Sequence, residues 1–259
     1  MTDPTGRHPA DPHVEAPAPD EHQGMPTDVS SARPLAEIPR PFTREAMDAM
    51  EQEIKDGILR MGSMVAQRHL AAVDALESHD EEAAFAIITS DDRLNEELGA
   101  VSNLVAQTIV KEQPVARDLR FLMALDHVAY ELERMGDHAS SVAKQARKLA
   151  PKAPVPPQDR LPELGRLVVQ QVRDILTAVV EVDEQRAREI AREDDRVDEL
   201  YHTIFADTLE SMRQDPANVD AGARILFAAH YLERTGDRVT NIAEDIVFLA
   251  TGEVEDLNP

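Results

Sequence analysis

The sequence predicts an all-α protein made of two tandem three-helix bundles related by internal duplication, and three observations carry that expectation. One phrase is written twice, as Leu132-Glu133-Arg134-Met135-Gly136-Asp137 and as Leu232-Glu233-Arg234-Thr235-Gly236-Asp237. From Thr43 onward apolar residues recur at helical spacing, whereas no run alternates with period two. Strand-favouring aromatics are scarce, since Tyr130, Tyr201 and Tyr231 are the only tyrosines and tryptophan is absent.

Residues 1–41 hold nine of the seventeen prolines and few large apolar side chains, so this acidic segment reads as a disordered tail. A helix is expected from Thr43 to about Leu76, with Met47, Ile54, Ile58, Met61, Met64 and Val65 on one face. The turn Ser78-His79-Asp80 leads to a second helix, from about Glu82 to Val110, which Gln113-Pro114 stops. A third runs from Val115 to Leu149, and five prolines between Pro151 and Pro162 then make a linker that no helix crosses. The second half repeats the plan, with helices from Glu163 to Arg188, Glu189 to Arg213 and Asn218 to Leu249, the middle one stopped by Asp215-Pro216. Landmarks pair across the halves: Asp91 with Asp194, Pro114 with Pro216 and Glu133 with Glu233, at offsets of 103, 102 and 100. The expected organisation is therefore a tail at 1–41, a first bundle at 42–150, a linker at 151–162 and a second bundle at 163–259.

Composition excludes several classes of function. The apolar fraction of 42% suits a globular core, and the net charge of −23 repels a phosphodiester backbone, so nucleic acid is not an expected partner. Without cysteine there is no disulfide framework, thiolate metal site or thiol nucleophile. No run reaches the length of a transmembrane segment, and no basic segment followed by an apolar stretch marks a leader. The expectation is a soluble cytoplasmic protein, with peripheral association with a membrane complex left open.

The residues that can carry chemistry are carboxylates at helical spacing. Glu133, Asp137 and Ser141 stand at i, i+4 and i+8, and so do Glu233, Asp237 and Asn241. Acidic pairs four apart repel by roughly 0.2–0.5 kcal/mol in an isolated helix, and a bridging cation reverses that sign. Pairing of Arg134 or Arg234 with the aspartate three residues on is the alternative relief. On the preceding helices Asp91 and Asn95, and Asp194 and Asp198, fall where the apolar stripe is due. A buried carboxylate there must be neutralised, paired with arginine or bound to a cation. Each copy also places a glycine in mid-helix, at Gly136 and Gly236, at a cost of roughly 1 kcal/mol relative to alanine, which points to close approach of a neighbouring helix or of a ligand.

The doubled LERxGD phrase, the Asp91-Asp92-Arg93-Leu94-Asn95 stretch and the Gln113-Pro114-Val115-Ala116-Arg117-Asp118-Leu119-Arg120 corner resemble the PhoU family over about Thr43 to Gly252. What the resemblance implies is a pair of three-helix bundles, multinuclear metal clusters held by the repeated acidic motifs, and a cytoplasmic regulator that restrains phosphate uptake and phosphate signalling. The implied metal residues are Glu133 and Asp137 in the first motif and Glu233, Asp237 and Asn241 in the second. Asp91, Asn95, Asp194 and Asp198 would be their partners from the preceding helices. Ser141 stands where the family usually has asparagine. The implied metal is iron or manganese, with zinc or magnesium as alternatives, and the implied partners are the ATPase subunit of the phosphate ABC transporter, the phosphate-sensing histidine kinase and a second copy of the chain.

No Gly-rich phosphate loop or nucleophile–base arrangement is present, so the protein is not expected to be an enzyme. The competing reading is a carboxylate-bridged di-metal oxidase of the ferritin-like kind, which needs Glu-x-x-His on two helices. The chain offers one such pair, Glu199 and His202. A third reading is a helical scaffold whose acidic motifs are solvated faces.

Overall fold

Aspartate side chains cap two of the helices, through Asp80 and Asp183. The computed structural model describes residues 44–90 and 92–258, with Asp92 by its backbone alone, and everything described is helix, turn or irregular connection. Expectations for the tail, for Asp91 and for Pro259 lie outside these residues. Helix α1 runs Arg44–Ser78, α2 Glu81–Ile88, α3 Asp92–Glu112 and α4 Ala116–Leu149. A 3-10 turn, Gln158–Arg160, opens the second half, followed by α5 Leu161–Glu181, α6 Glu184–Gln214, a second 3-10 turn and α7 Val219–Thr251. At about 1.5 Å per residue the longest helices extend roughly 50 Å.

Two boundaries correct the reading of the sequence. The expected helix from Glu82 to Val110 is two helices, α2 and α3. Asp80 caps the first by accepting the Ala83 amide at 2.9 Å, and the Thr89 and Ser90 hydroxyls turn back onto the last carbonyls of α2. In the second half the boundary is at residues 182–183 rather than 188–189. Asp183 caps α6 by accepting the Arg186 amide at 3.0 Å, and Val182 turns the chain at φ 53°, ψ 44°. A β-branched residue in the left-handed region is strained by on the order of 1 kcal/mol or more, and helices usually place glycine there. Val182→Gly is therefore expected to raise the urea midpoint by the equivalent of up to about 1 kcal/mol, and an unchanged or lowered midpoint would show that the Val182 side chain contributes more by burial than it costs in strain.

Helices α1, α4, α5 and α7 pack against one another through the pairs α1–α4, α4–α7, α1–α5 and α5–α7. Helices α2 and α3 lie against α1 and α4, and α6 lies against α5 and α7. Each half thus forms a three-helix unit in which α2 and α3 together take the place that α6 takes in the other half.

The apolar core ignores the boundary between the halves. One cluster joins Ile58 and Met61 of α1 and Leu132 of α4 to Val172 and Ile175 of α5 and Ile242 of α7. The other joins Val73 of α1 and Leu149 of α4 to Leu164 of α5, Ile204 of α6 and Leu232 of α7. Contacts accordingly gather the described residues of both halves into one unit. No helix among the described residues is long and apolar enough to cross a membrane.

Candidate metal centre

The two copies of the motif sit in different surroundings. In the second half, Glu233 and Asp237 on α7 face Asp194 and Asp198 on α6. Asp194 is 2% exposed, as its core register requires. The arginine partner allowed by the sequence is not what holds it: Gln171 of α5 donates to Oδ1 at 3.2 Å, and Thr240 of α7 donates to Oδ2 at 3.4 Å. Gly236 makes the space, since a Cβ there would lie 2.5 Å from Asp194 Oδ1. The second glycine thus admits a carboxylate between α6 and α7.

Electrostatics show the four carboxyls to be neighbours. Burial, reinforced by Asp198 and Asp237, pushes the Asp194 carboxyl up to about 6. Burial also pushes Glu233 up to about 7, with Asp237 and Asp198 the largest charge contributions. The Asp198 carboxyl is raised by burial and then by Asp237. The Arg234 guanidinium softens this field, lying 3.4 Å from Asp237 in the i, i+3 relief that the sequence offered, and the His230 imidazole Nδ1 lies 3.3 Å from Glu233.

Asn241 lines one cavity with Asp237, while its amide nitrogen turns toward α4. Its Nδ2 lies 3.5 Å from Oε2 of Glu131 on α4, which Arg238 also approaches at 3.4 Å. His127 of α4 completes the seam, with Nδ1 2.6 Å from Asp245 of α7 and Nε2 3.6 Å from Glu131. Glu131, Gln171 and Thr240 were not singled out in the sequence. Gln171 carried a signal, a polar residue on the otherwise apolar stripe of α5, whereas Glu131 and Thr240 carried none.

The first-half motif has no such pocket among the described residues. Asn95 is exposed rather than on the core face, which corrects its expected register, and Asp137 is exposed while Glu133 is half-buried. Opposite Gly136 stands Leu94, with its Cδ2 2.2 Å from where a Cβ would be. Leu94 thus occupies the place that Asp194 takes in the other half. Leu94 and Asp194 are 100 residues apart, as are Gly136 and Gly236, so the helix position is the same and the residue type differs.

No three His, Asp or Glu groups among the described residues form a ready-made metal cage. The second-half set nevertheless fits a hard cation by donor chemistry. Asp194, Asp198, Glu233 and Asp237 supply only oxygens, the raised Asp194 and Glu233 carboxyls make protons compete with a cation as pH falls, and the buried Gln171 Oε1 beside Asp194 has no hydrogen-bond partner. Of the first-half set Asp91 lies outside the described residues, Asn95 is neutral and exposed, and Asp137 is exposed, so the described donors do not gather into a comparable site. Glu199 and His202 of the oxidase reading lie exposed on α6, where His202 Nδ1 donates to the Asp198 carbonyl at 2.8 Å.

A duplicated helical bundle with one acidic motif per repeat is the class that fold and site define. The PhoU domain model matches residues 58–146 and 161–246. The chain belongs to the PhoU family. It is 36% identical over 218 residues to a phosphate-specific transport system accessory protein PhoU homolog of Clostridium acetobutylicum, a match covering 84% of this chain and 100% of that protein. A Caulobacter vibrioides protein of the same description is 35% identical over 197 residues, which cover 76% of this chain and 86% of that one. The crystal structure of PhoU from Pseudomonas aeruginosa superposes with a TM-score of 0.76 at 29% identity, over 80% of this chain and 100% of that one. The phosphate transport system regulatory protein PhoU from Streptococcus pneumoniae gives 0.74 at 29% identity, over 81% and 99%. The all-α fold expected from the sequence is thereby that of solved PhoU structures.

Proposed function

We propose that this chain is a cytoplasmic regulator of phosphate uptake and phosphate signalling that works by contact, without catalytic turnover. The observation that carries the reading is the full-length match to relatives described as phosphate transport accessory proteins. Its partners on this reading are the ATPase subunit of the phosphate transporter and the phosphate-sensing histidine kinase, and it meets the membrane only through them. It acts as a homodimer. Deleting the gene is the test: expression of phosphate-uptake genes should rise in phosphate-rich medium, and an unchanged phosphate response sinks the reading.

Metal binding belongs to the same proposal, placed at the second motif. Asp194, Asp198, Glu233 and Asp237 would hold the ion, iron or manganese being favoured by an oxygen-only set, with magnesium and zinc as competitors. The ion would fix α6 against α7. Because Glu233 and Asp194 hold protons up to about pH 7 and 6, affinity should fall as pH drops through that range. Asp237→Ala is expected to remove most of the bound metal, whereas Asp137→Ala leaves it nearly unchanged. Elemental analysis of both variants decides this, and equal metal content in both and in the parent protein eliminates the site.

A further inference from the structure

The C-terminal third of α4 inverts the charge of the molecule. Against a net charge of −23, the stretch from His138 to Gln158 contains no aspartate or glutamate and carries Lys144, Arg147, Lys148 and Lys152. Lys144, Arg147 and Lys148 stand at i, i+3 and i+4, so they share one helical face. All three are exposed. Lys144 and Lys148 have no ion-pair partner among the described residues, whereas Lys152 pairs with Asp220 at 2.6 Å.

This face borders a depression rather than open surface. Lys144, Arg147 and Lys148 line a cavity of about 350 Å³ together with Glu81 and Ile88 of α2. Ile88 is its apolar lining, and next to it Phe85, 48% exposed, lies under the Arg147 guanidinium at 4.8 Å. That contact holds both side chains in place and gives the groove an aromatic wall. The groove already accepts one carboxylate, since Glu81 Oε1 lies 3.3 Å from Arg147 Nε.

The duplication supplies an internal control. At the offset of 100 that relates the two motifs, Lys144, Arg147 and Lys148 correspond to Glu244, Val247 and Phe248. The basic groove therefore belongs to the first repeat alone and does not follow from the repeat architecture.

We propose that the groove between α2 and α4 is the docking site for an acidic amphipathic segment of a protein partner. The apolar side chains of that segment lie on Phe85 and Ile88, and its carboxylates meet Lys144 and Lys148. Such a segment supplies the two features the groove presents, an apolar floor and a row of unpaired cations. An anionic membrane fits less well, because the remainder of the chain carries a large negative charge. The proposal rests on the regulator reading in presuming a protein contact.

The probe is a short fluorescent helical peptide with glutamates four residues apart flanking two leucines, and the readout is fluorescence anisotropy. The chain is expected to bind it in a salt-sensitive manner. Replacing both cations, Lys144→Glu with Lys148→Glu, should weaken binding at least about tenfold, and a peptide with glutamine in place of glutamate should lose binding to the same degree. Phe85→Ala should weaken binding without changing its salt dependence. Circular dichroism checks that each variant is folded, with Lys144→Gln and Lys148→Gln as the milder pair. Equal affinity for parent and charge-reversed chains overturns the proposal. So does binding only to phosphatidylglycerol vesicles, which assigns the patch to a membrane, or self-association that the same substitutions abolish in the absence of peptide binding. The assay involves no phosphate response, so a null result removes the docking surface and leaves the regulator reading standing, while a silent gene deletion does the reverse.

Discussion

Leu132→Ala and Leu232→Ala should each destabilise the protein by about 2–5 kcal/mol, the range for truncating a fully buried leucine. Both residues open the repeated phrase, both are 0% exposed, and they lie in different core clusters. If the halves were independent, each substitution would melt its own half and leave the other intact. Each cluster instead draws side chains from both halves, so either substitution should lower one common transition, followed equally by far-ultraviolet circular dichroism and by calorimetry. Two separated transitions in either variant would show that the shared core does not couple the repeats.

Much of this fold can be read from hydrophobic spacing, and what escaped it has identifiable causes. The long helices α1, α4 and α7 were legible because a periodic stripe runs uninterrupted between strong stop signals such as Gln113-Pro114 and Asp215-Pro216. The turn at Val182-Asp183 was not, because it contains neither glycine nor proline and the apolar pattern continues across it to Ala187 and Ile190. Its one local signal was Asp183, whose side chain caps α6.

The site divides in the same way. Glu233 and Asp237 share a face because both lie on one helix, and Asp194 reaches them as its register requires. What opposes each motif depends on packing between helices, which sequence similarity misaligned. Similarity pairs Asp91 with Asp194, yet the residue packed against Gly136 is Leu94, related to Asp194 by the same offset of 100 as the two glycines. Asn241 was legible by spacing alone, and its contact with Glu131 on the facing α4 was beyond the reach of any single-helix argument.

Asp194→Asn should stabilise the metal-free protein while abolishing its response to metal. A carboxyl raised from its ordinary 3.8 to about 6 by burial binds its proton more tightly in the folded chain than in the unfolded one. The folded state is then favoured at low pH, and that advantage is lost as pH rises from about 4 through 6. At pH 8 the ionised group costs on the order of 2 kcal/mol, which a neutral amide of the same shape removes while keeping an oxygen for the Gln171 amide. His69 and His138 act in the opposite sense. Burial lowers both to about 4, so stability is lost as pH falls from about 6.5 toward 4. His69, fully buried, fits the neutral state, with Nε2 donating to the Met135 carbonyl at 2.9 Å and Nδ1 unpaired. Two raised carboxyls, Asp194 and Glu233 with its carboxyl at about 7, offset the two histidines in the parent protein, whose metal-free stability should be nearly flat between pH 4.5 and 6.5. Removing the Asp194 carboxyl unmasks the histidines, so the variant should gain stability with rising pH and exceed the parent at pH 8. Urea unfolding with chelator across this range is the measurement, and a variant less stable than the parent at pH 8 overturns the burial argument. Adding manganese should then raise the parent's midpoint and leave the variant's in place, because only a ligand held by the folded state shifts the equilibrium.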